Sequence, residues 1–77
     1  MKSIFQQEYQ AVIERLVTRR KELGISQSEL ARRLGREFDQ SIVSKIETCV
    51  RRIDVIEAKR ICEALQMEIF DLFREVE

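Results

Sequence analysis

Residues 26–47, SQSELARRLGREFDQSIVSKIE, contain two short amphipathic segments separated by a charged connection. Ser26 is followed three residues later by Glu29, the capping-box pattern that begins a helix, and Gly35 is typical of the position at which a helix ends. Asp39 is a favourable N-cap for the second segment, since its charge suits the positive end of a helix. The stretch therefore predicts two helices joined by a short turn.

Helical patterns also occur on both sides of this stretch. Residues 3–23 carry apolar residues at helical spacing, and Gly24 is suited to a left-handed cap. Asp54 with Glu57 predicts the start of a fourth helix, and a short fifth helix is predicted over about 69–76. The residues of the third and fourth helices predicted to face the core are Val43, Ile46, Val50, Val55, Ala58, Ile61, Cys62 and Leu65. No Pro and only two Gly are present, which favours an all-α fold.

Length and composition limit the classes of protein to which the chain can belong. Its 77 residues predict one domain over 1–77, with a modest core that favours self-association. No apolar run approaches the ~18 residues that span a bilayer, and the N-terminus MKSIFQQEYQ lacks the apolar stretch of a signal peptide. We therefore expect a cytoplasmic protein. His is absent, and Cys49 and Cys62 follow no metal-binding spacing, so neither a metal site nor a cofactor is predicted.

Charge is unevenly distributed along the chain, although 14 basic and 14 acidic residues give a net charge of zero. Residues 1–53 contain 11 Lys and Arg against 7 Asp and Glu, whereas residues 54–77 contain 3 against 7. A chain with this asymmetry can present a basic face to a polyanion despite its neutral total. Nucleic acid is therefore a candidate partner.

The size and spacing of the two quoted segments fit a helix-turn-helix, whose second helix enters the major groove of double-stranded DNA. The first turn of that helix lies nearest to the base edges. There Gln40 can bond to adenine N6 and N7 together, Ser41 can bond to several bases, and Ile42 can contact a thymine methyl group. At the start of the preceding helix, Ser26 and Gln27 can offer N–H groups to a phosphate.

The chain resembles a known family over about residues 12–73. The runs LGISQSELARRLG, QSIVSKIE and RRIDVIEAKRICEALQMEIFDLF are similar to the Cro/repressor-type (XRE-like) helix-turn-helix proteins of bacteria and phages. The resemblance implies a compact five-helix, lambda-repressor-like DNA-binding domain that binds operator DNA as a two-fold dimer. It also implies an ion pair between Arg20 and Glu47 that holds the helices together.

Pattern and resemblance together give the candidate DNA contacts, within a helix-turn-helix core of about 26–47. The predicted base contacts are Gln40, Ser41, Ile42 and Lys45. The predicted phosphate contacts are Ser26, Gln27, Arg36, Ser44, Arg51 and Arg52. The arginines expected to be solvated charges rather than phosphate ligands are Arg15, Arg19, Arg32 and Arg33.

The chain departs from the family pattern in the turn and at two glycine positions. Two additional residues in the turn either carry Arg36 to the DNA backbone or move Glu37 towards the phosphates, where it would be repelled. Phe38 either tucks under the turn or contacts a partner. Cys49 and Gln66 stand where Gly is common, and because a Cys is strained at positive φ, we expect a different backbone at Cys49.

The terminal segment is the predicted dimer surface, because a short helix cannot bury all of its apolar residues against one neighbour. The residues assigned to this surface are Phe70, Leu72, Phe73 and Val76. Two-fold pairing through them would place two recognition helices one DNA turn apart, roughly 34 Å. The alternative is that the N-terminal part of the first helix, residues 3–11, wraps the partner subunit.

These features predict a sequence-specific transcriptional regulator, a repressor or controller, that binds a palindromic operator as a homodimer. The alternative is a helical protein-interaction module, such as the antitoxin of a toxin–antitoxin pair, which implies a protein partner. An enzyme is not predicted, and no small-molecule substrate is expected, because His is absent, neither Cys has an evident base and no Gly-rich phosphate loop occurs.

Overall fold

A computed structural model describes the backbone of residues 4–74 and the side chains from Gln6 onward. Within that part of the chain the fold is all-α, as predicted, and contains no strand. The elements are α1 (Ile4–Glu22), α2 (Gln27–Leu34), α3 (Gln40–Glu47), α4 (Val55–Ala64) and a terminal 3₁₀ helix (Ile69–Phe73). The fifth predicted helix is therefore a 3₁₀ helix, and the prediction for Val76 lies outside the described residues.

Side-chain caps define the beginnings of α2 and α3. The Ser26 hydroxyl accepts a hydrogen bond from the main-chain N–H of Glu29 at 3.0 Å, and the Asp39 carboxylate accepts one from Ile42 N–H at 2.8 Å. Each satisfies a donor that the first turn of a helix leaves unpaired. The Glu29 side chain does not complete a capping box, because its carboxylate pairs with two arginines of its own helix.

The fourth helix begins with a complete capping box. The Asp54 carboxylate accepts from Glu57 N–H at 2.7 Å, and the Glu57 carboxylate accepts from Asp54 N–H at 3.1 Å. This is the pattern predicted from the spacing of the two acidic residues. The start of α4 is therefore determined by local chemistry, which also sets the end of the loop that follows α3.

The core lies between the inner faces of α1, α2, α3 and α4, and the 3₁₀ helix closes one end. Its buried apolar residues are Ile13, Leu16, Ile25, Leu30, Ala31, Leu34, Val43, Ile46, Ala58, Ile61, Cys62, Leu65 and Leu72. Two inward predictions are wrong, since Val50 is 73% exposed and Val55 is 71% exposed. Val50 lies beyond the end of α3, and Val55 is the first residue of α4.

The lengthened turn between α2 and α3 is anchored by Phe38. This side chain is half-buried and packs against the core, as in the first of the two alternatives for it. The guanidinium of Arg51, from the loop after α3, lies 5.7 Å from the centroid of the Phe38 ring. The turn before α3 and the loop after it are thus joined through one aromatic side chain.

Cys49 and Gln66 keep the left-handed backbone that glycine favours, with φ of 64° and 56°. The expectation of a different backbone at Cys49 is therefore wrong. Hydrogen bonds hold both residues in place: Cys49 N–H donates to Ile46 O at 3.0 Å, and the Arg19 guanidinium binds the carbonyl of Gln66 at 3.1 Å. The surrounding contacts offset the strain of a side chain at positive φ.

The left-handed conformation of Gln66 predicts that Gln66→Gly stabilises the fold. Relief of the steric cost at positive φ exceeds the entropy that Gly adds to the unfolded chain, for a net gain of about 0.5–1 kcal/mol. Thermal unfolding followed by circular dichroism should show a rise of about 2–8 °C in Tm. Glu63→Gly, at an exposed position inside α4, is the matched control and should lower Tm. Equal changes in the two variants would contradict the strain argument.

Candidate nucleic-acid interface

One face of α3 is polar and exposed, and the opposite face is buried. Ser41, Lys45 and Thr48 are spaced at i, i+4 and i+7, so they lie along one side of the helix, and all three are exposed. Val43 and Ile46, on the other side, are in the core. The ammonium group of Lys45 has no carboxylate partner among the described side chains. We call this side of α3 the outer face.

A buried ion pair joins α1 to the end of α3. Arg20 Nε donates to Glu47 Oε2 at 2.6 Å, and Arg20 Nη2 donates to Glu47 Oε1 at 2.9 Å. Each of the two side chains is only 10% exposed. Arg20 Nη1 also donates to the carbonyl of Ile25 at 2.7 Å, which ties the loop before α2 to the same pair. The structure thus contains the pair that the family resemblance implies.

The ion pair continues through two glutamines to the first turn of α3. Gln27 Nε2 donates to Glu47 Oε1 at 2.9 Å, and Gln40 Nε2 donates to Gln27 Oε1 at 2.7 Å. We call the four side chains Arg20, Glu47, Gln27 and Gln40 the polar relay. The relay fixes the position of the Gln40 amide while leaving its Oε1 and one N–H for another partner.

The other predicted contacts in the first turns of α2 and α3 differ in availability. Ser41 is exposed, whereas Ile42 is half-buried against the core and Ser44 is half-buried. The Ser26 oxygen already serves as the cap of α2. Arg36, in the lengthened turn, is exposed, and its guanidinium has no partner among the described residues.

Arg51 and Arg52 are adjacent in sequence but differ in their partners. Arg51 is paired with Glu57, with Nη2 3.0 Å from Oε2. The hydrogen bond from Arg51 holds the pKa of the Glu57 carboxyl below its ordinary value, and the same bond raises the pKa of Arg51. Arg52 has no carboxylate partner among the described side chains; its guanidinium carbon lies 4.5 Å from the centroid of the Tyr9 ring. Of the two guanidinium groups, that of Arg52 is the more available to an anion.

Several arginines bind main-chain carbonyls, a role that the sequence reading missed. Arg15 donates to the carbonyl of Leu72 at 2.7 Å, and Arg19 donates to that of Leu65 at 3.0 Å. Arg33 and Arg60 bind carbonyls at the ends of α4 and α2. For Arg15, Arg19 and Arg33, the expectation of solvated charges is therefore incomplete, because each satisfies acceptors that a helix end leaves unpaired.

The predicted dimer surface is only partly available. Phe70 and Phe73 are 79% and 66% exposed, whereas Leu72 is fully buried in the core of its own chain, so its assignment to the dimer surface is wrong. Val55 and Ile56, in the first turn of α4, are also exposed apolar residues. The exposed residues Val55, Ile56, Phe70 and Phe73 are called the apolar patch below. Val55 and Phe73 border a groove of about 480 Å³ that reaches Tyr9 and Val12 of α1.

The two thiols differ in environment. Cys62 is buried, and burial raises the pKa of its thiol, whereas Cys49 is half-buried. In the described part of the chain, no group of three or more His, Cys, Asp or Glu side chains is arranged to hold a metal ion. No helix in residues 4–74 has the length and apolar character needed to cross a membrane.

Comparison with known proteins agrees with this geometry. The family model described as helix-turn-helix matches residues 16–72. This range includes the polar relay, the last part of α1 and the whole of α2, α3 and α4. The chain is therefore a helix-turn-helix protein, of a class whose members bind DNA and regulate transcription. No curated protein matches it significantly.

A solved structure refines this assignment. The XRE-family like protein from Pseudomonas syringae pv. tomato str. DC3000 superimposes with a TM-score of 0.83 and is 43% identical, over 91% of this chain and 83% of the other. The chain belongs to the XRE-like helix-turn-helix family.

The buried position of the ion pair predicts a large loss of stability in Glu47→Ala. Arg20 would be left buried without its carboxylate, so the free energy of unfolding should fall by about 3 kcal/mol. Urea unfolding followed by circular dichroism measures this change. Glu37→Ala removes an exposed carboxylate that has no partner in the described structure, and it should change the free energy by less than about 0.5 kcal/mol. A small effect at Glu47 would mean that the pair is not what holds α1 to α3.

Proposed function

We infer that the chain is a sequence-specific DNA-binding regulator of transcription that inserts α3 into the major groove. The observation that carries this proposal is the polar relay. In this relay, a buried ion pair and Gln27 hold the exposed amide of Gln40 in a defined orientation. An amide held in this way is suited to reading a base edge, because a bidentate contact loses its selectivity when the side chain can rotate.

The outer face of α3 supplies the remaining base contacts. Gln40 would accept from adenine N6 through Oε1 and donate to adenine N7 through its free N–H. Ser41 and Lys45 would reach neighbouring base edges, since they are exposed on the same side of the helix. Ile42 would contribute only the exposed edge of its side chain to a thymine methyl group.

Phosphate contacts would flank these bases. Gln27 keeps one amide N–H that the relay does not use, and the exposed guanidinium groups of Arg36 and Arg52 have no carboxylate partners among the described side chains. Arg51 would contribute less, because a phosphate must compete with Glu57 for it. Ser26 and Ser44 would contribute through their hydroxyl or main-chain groups.

The apolar patch would form a homodimer. A two-fold axis through Phe70 and Phe73 brings the same residues of two chains together, and Val55 and Ile56 extend the surface. The two copies of α3 would then contact half-sites roughly 34 Å apart on a palindromic operator. The protein would act in the cytoplasm as a repressor or controller, with the monomer–dimer equilibrium setting its response to concentration.

The apolar patch also supports the alternative function. The exposed Phe73, which borders a groove of about 480 Å³, is suited to binding a different protein, as in the antitoxin of a toxin–antitoxin pair. In that case the patch, rather than the outer face of α3, would carry the function. The two proposals differ in which surface tolerates substitution.

Selection of bound duplexes from a random pool at ~150 mM salt tests the proposed function. The expected result is a two-fold symmetric consensus whose half-site spacing matches one DNA turn. A consensus without symmetry would exclude the homodimer, and recovery of no consensus would leave the protein-interaction alternative.

Removal of the Gln40 amide should relax the sequence preference. Gln40→Ala is expected to lose about 1–3 kcal/mol of specific binding and to equalise binding at one base pair of each half-site, because the bidentate contact is lost. Competition binding with single-base variants of the operator measures both effects. Gln7→Ala, at an exposed position of α1 without a partner among the described residues, is the control and should bind as the unmodified chain does. An unchanged base preference in Gln40→Ala would contradict the assignment of Gln40 as a base contact.

Introduction of a charge into the apolar patch should separate the subunits. Phe73→Asp is expected to sediment as a monomer and to lose far more affinity for operator DNA than for random DNA. Only the operator has two half-sites that the linked subunits of a dimer can bind together. Val50→Asp alters an equally exposed apolar residue that does not border the groove, and it should remain dimeric. If Phe73→Asp also remains dimeric, the interface lies elsewhere.

A further inference from the structure

A polar hollow of about 170 Å³ lies between the N-terminal half of α1 and the end of α3. The residues that line this hollow are Gln6, Tyr9, Gln10, Thr48, Cys49 and Arg52. It shares no residue with the polar relay or the apolar patch, although Tyr9 and Arg52 also line the groove beside that patch. Neither the sequence pattern nor the family resemblance assigns a role to Gln10 or Thr48.

The hollow has the chemistry of an anion site. The Arg52 guanidinium is held against the Tyr9 ring at 4.5 Å, and its N–H groups have no hydrogen-bond acceptor among the described residues. The amide of Gln10 is likewise without a described partner. Among the described residues that line the hollow, none is a carboxylate. The Arg52 guanidinium beside the Gln10 amide, with no carboxylate among the described residues of the hollow, is suited to binding a phosphate oxygen.

The hollow opens beside the outer face of α3. Thr48 lines it, and Thr48 is also the last residue of the stripe that begins with Ser41 and Lys45. The Thr48 hydroxyl donates to the carbonyl of Ser44 at 2.9 Å, which keeps the side chain against its own helix. A DNA strand that follows the outer face past the end of α3 would therefore pass over the hollow.

We propose that this hollow binds one backbone phosphodiester of the DNA, which makes the N-terminal half of α1 a DNA-contacting element. The inference rests on the proposed function, since it requires α3 to lie in the major groove. Arg52 supplies the charge and Gln10 a hydrogen bond, while Tyr9 holds the guanidinium in place. The first helix then widens the footprint beyond the helix-turn-helix itself.

Gln10→Glu tests the proposal by introducing a carboxylate into the hollow. This carboxylate would pair with Arg52 and repel the phosphodiester, so the Kd for the selected duplex at ~150 mM salt should rise about tenfold. The slope of log K against log salt should decrease by about 0.9, the loss of one neutralised phosphate. Gln7→Glu places the same charge on the same helix outside the hollow, and it should raise Kd by less than about threefold.

A scan of the duplex with single methylphosphonate linkages provides a second measurement that does not depend on the folding of a variant. For the unmodified chain, one uncharged linkage per half-site should weaken binding. On the duplex that carries this linkage, Gln10→Ala and the unmodified chain should bind with equal affinity. Equal effects of Gln10→Glu and Gln7→Glu would overturn the phosphate site in the hollow but not the proposed function. A loss of affinity in Gln10→Ala that is the same at every linkage would do the same. Failure of the unmodified chain to bind any selected duplex would overturn the proposed function with it.

Discussion

The buried pair of Arg20 and Glu47 is the interaction on which the rest of the molecule depends. Removing two charges from water is costly, and the cost is recovered only where every remaining polar group is satisfied. Here Arg20 also donates to Ile25, and Glu47 also accepts from Gln27. One pair therefore sets the position of α1, the loop before α2 and the end of α3. Its main effect is on the geometry of the fold. The hydrogen bond between Gln40 and Gln27 positions the Gln40 amide relative to this pair.

Arginine side chains perform a second structural task at the helix ends. A chain of 77 residues has a small core, and its short helices leave many carbonyls unpaired for each residue that they contain. Arg15, Arg19, Arg33 and Arg60 each bind such carbonyls across the fold. At Gln66, which replaces the usual glycine, Arg19 binds the carbonyl and so stabilises a backbone that a glycine would adopt without strain.

The sequence was sufficient where the determining chemistry is local. Ser26, Asp39 and Asp54 begin three helices because each caps its own first turn. It was insufficient at the terminal segment, where it did not separate the buried Leu72 from the exposed Phe70 and Phe73. In a 3₁₀ helix residues three apart lie above one another, so Leu72 shares the inner side with Ile69, and Phe70 and Phe73 point outwards. The arginine–carbonyl contacts join residues 26 to 57 positions apart, and no local pattern indicates them.

If the chain reads DNA as proposed, the distribution of charge would explain why it needs two copies to do so. Arginines committed to carbonyls or to Glu29, Glu47 and Glu57 have little left for phosphates, and the net charge is zero. One subunit therefore has little non-specific attraction for DNA, since that attraction comes from neutralised phosphates. A single α3 would contact few base pairs. Pairing through the apolar patch would link two weak half-sites, so that the dimer binds the whole site more tightly and more specifically than one subunit binds a half-site. In the proposed function, the small number of unpaired cations would also keep the subunit from being held on random DNA, so that the response would depend on dimer concentration.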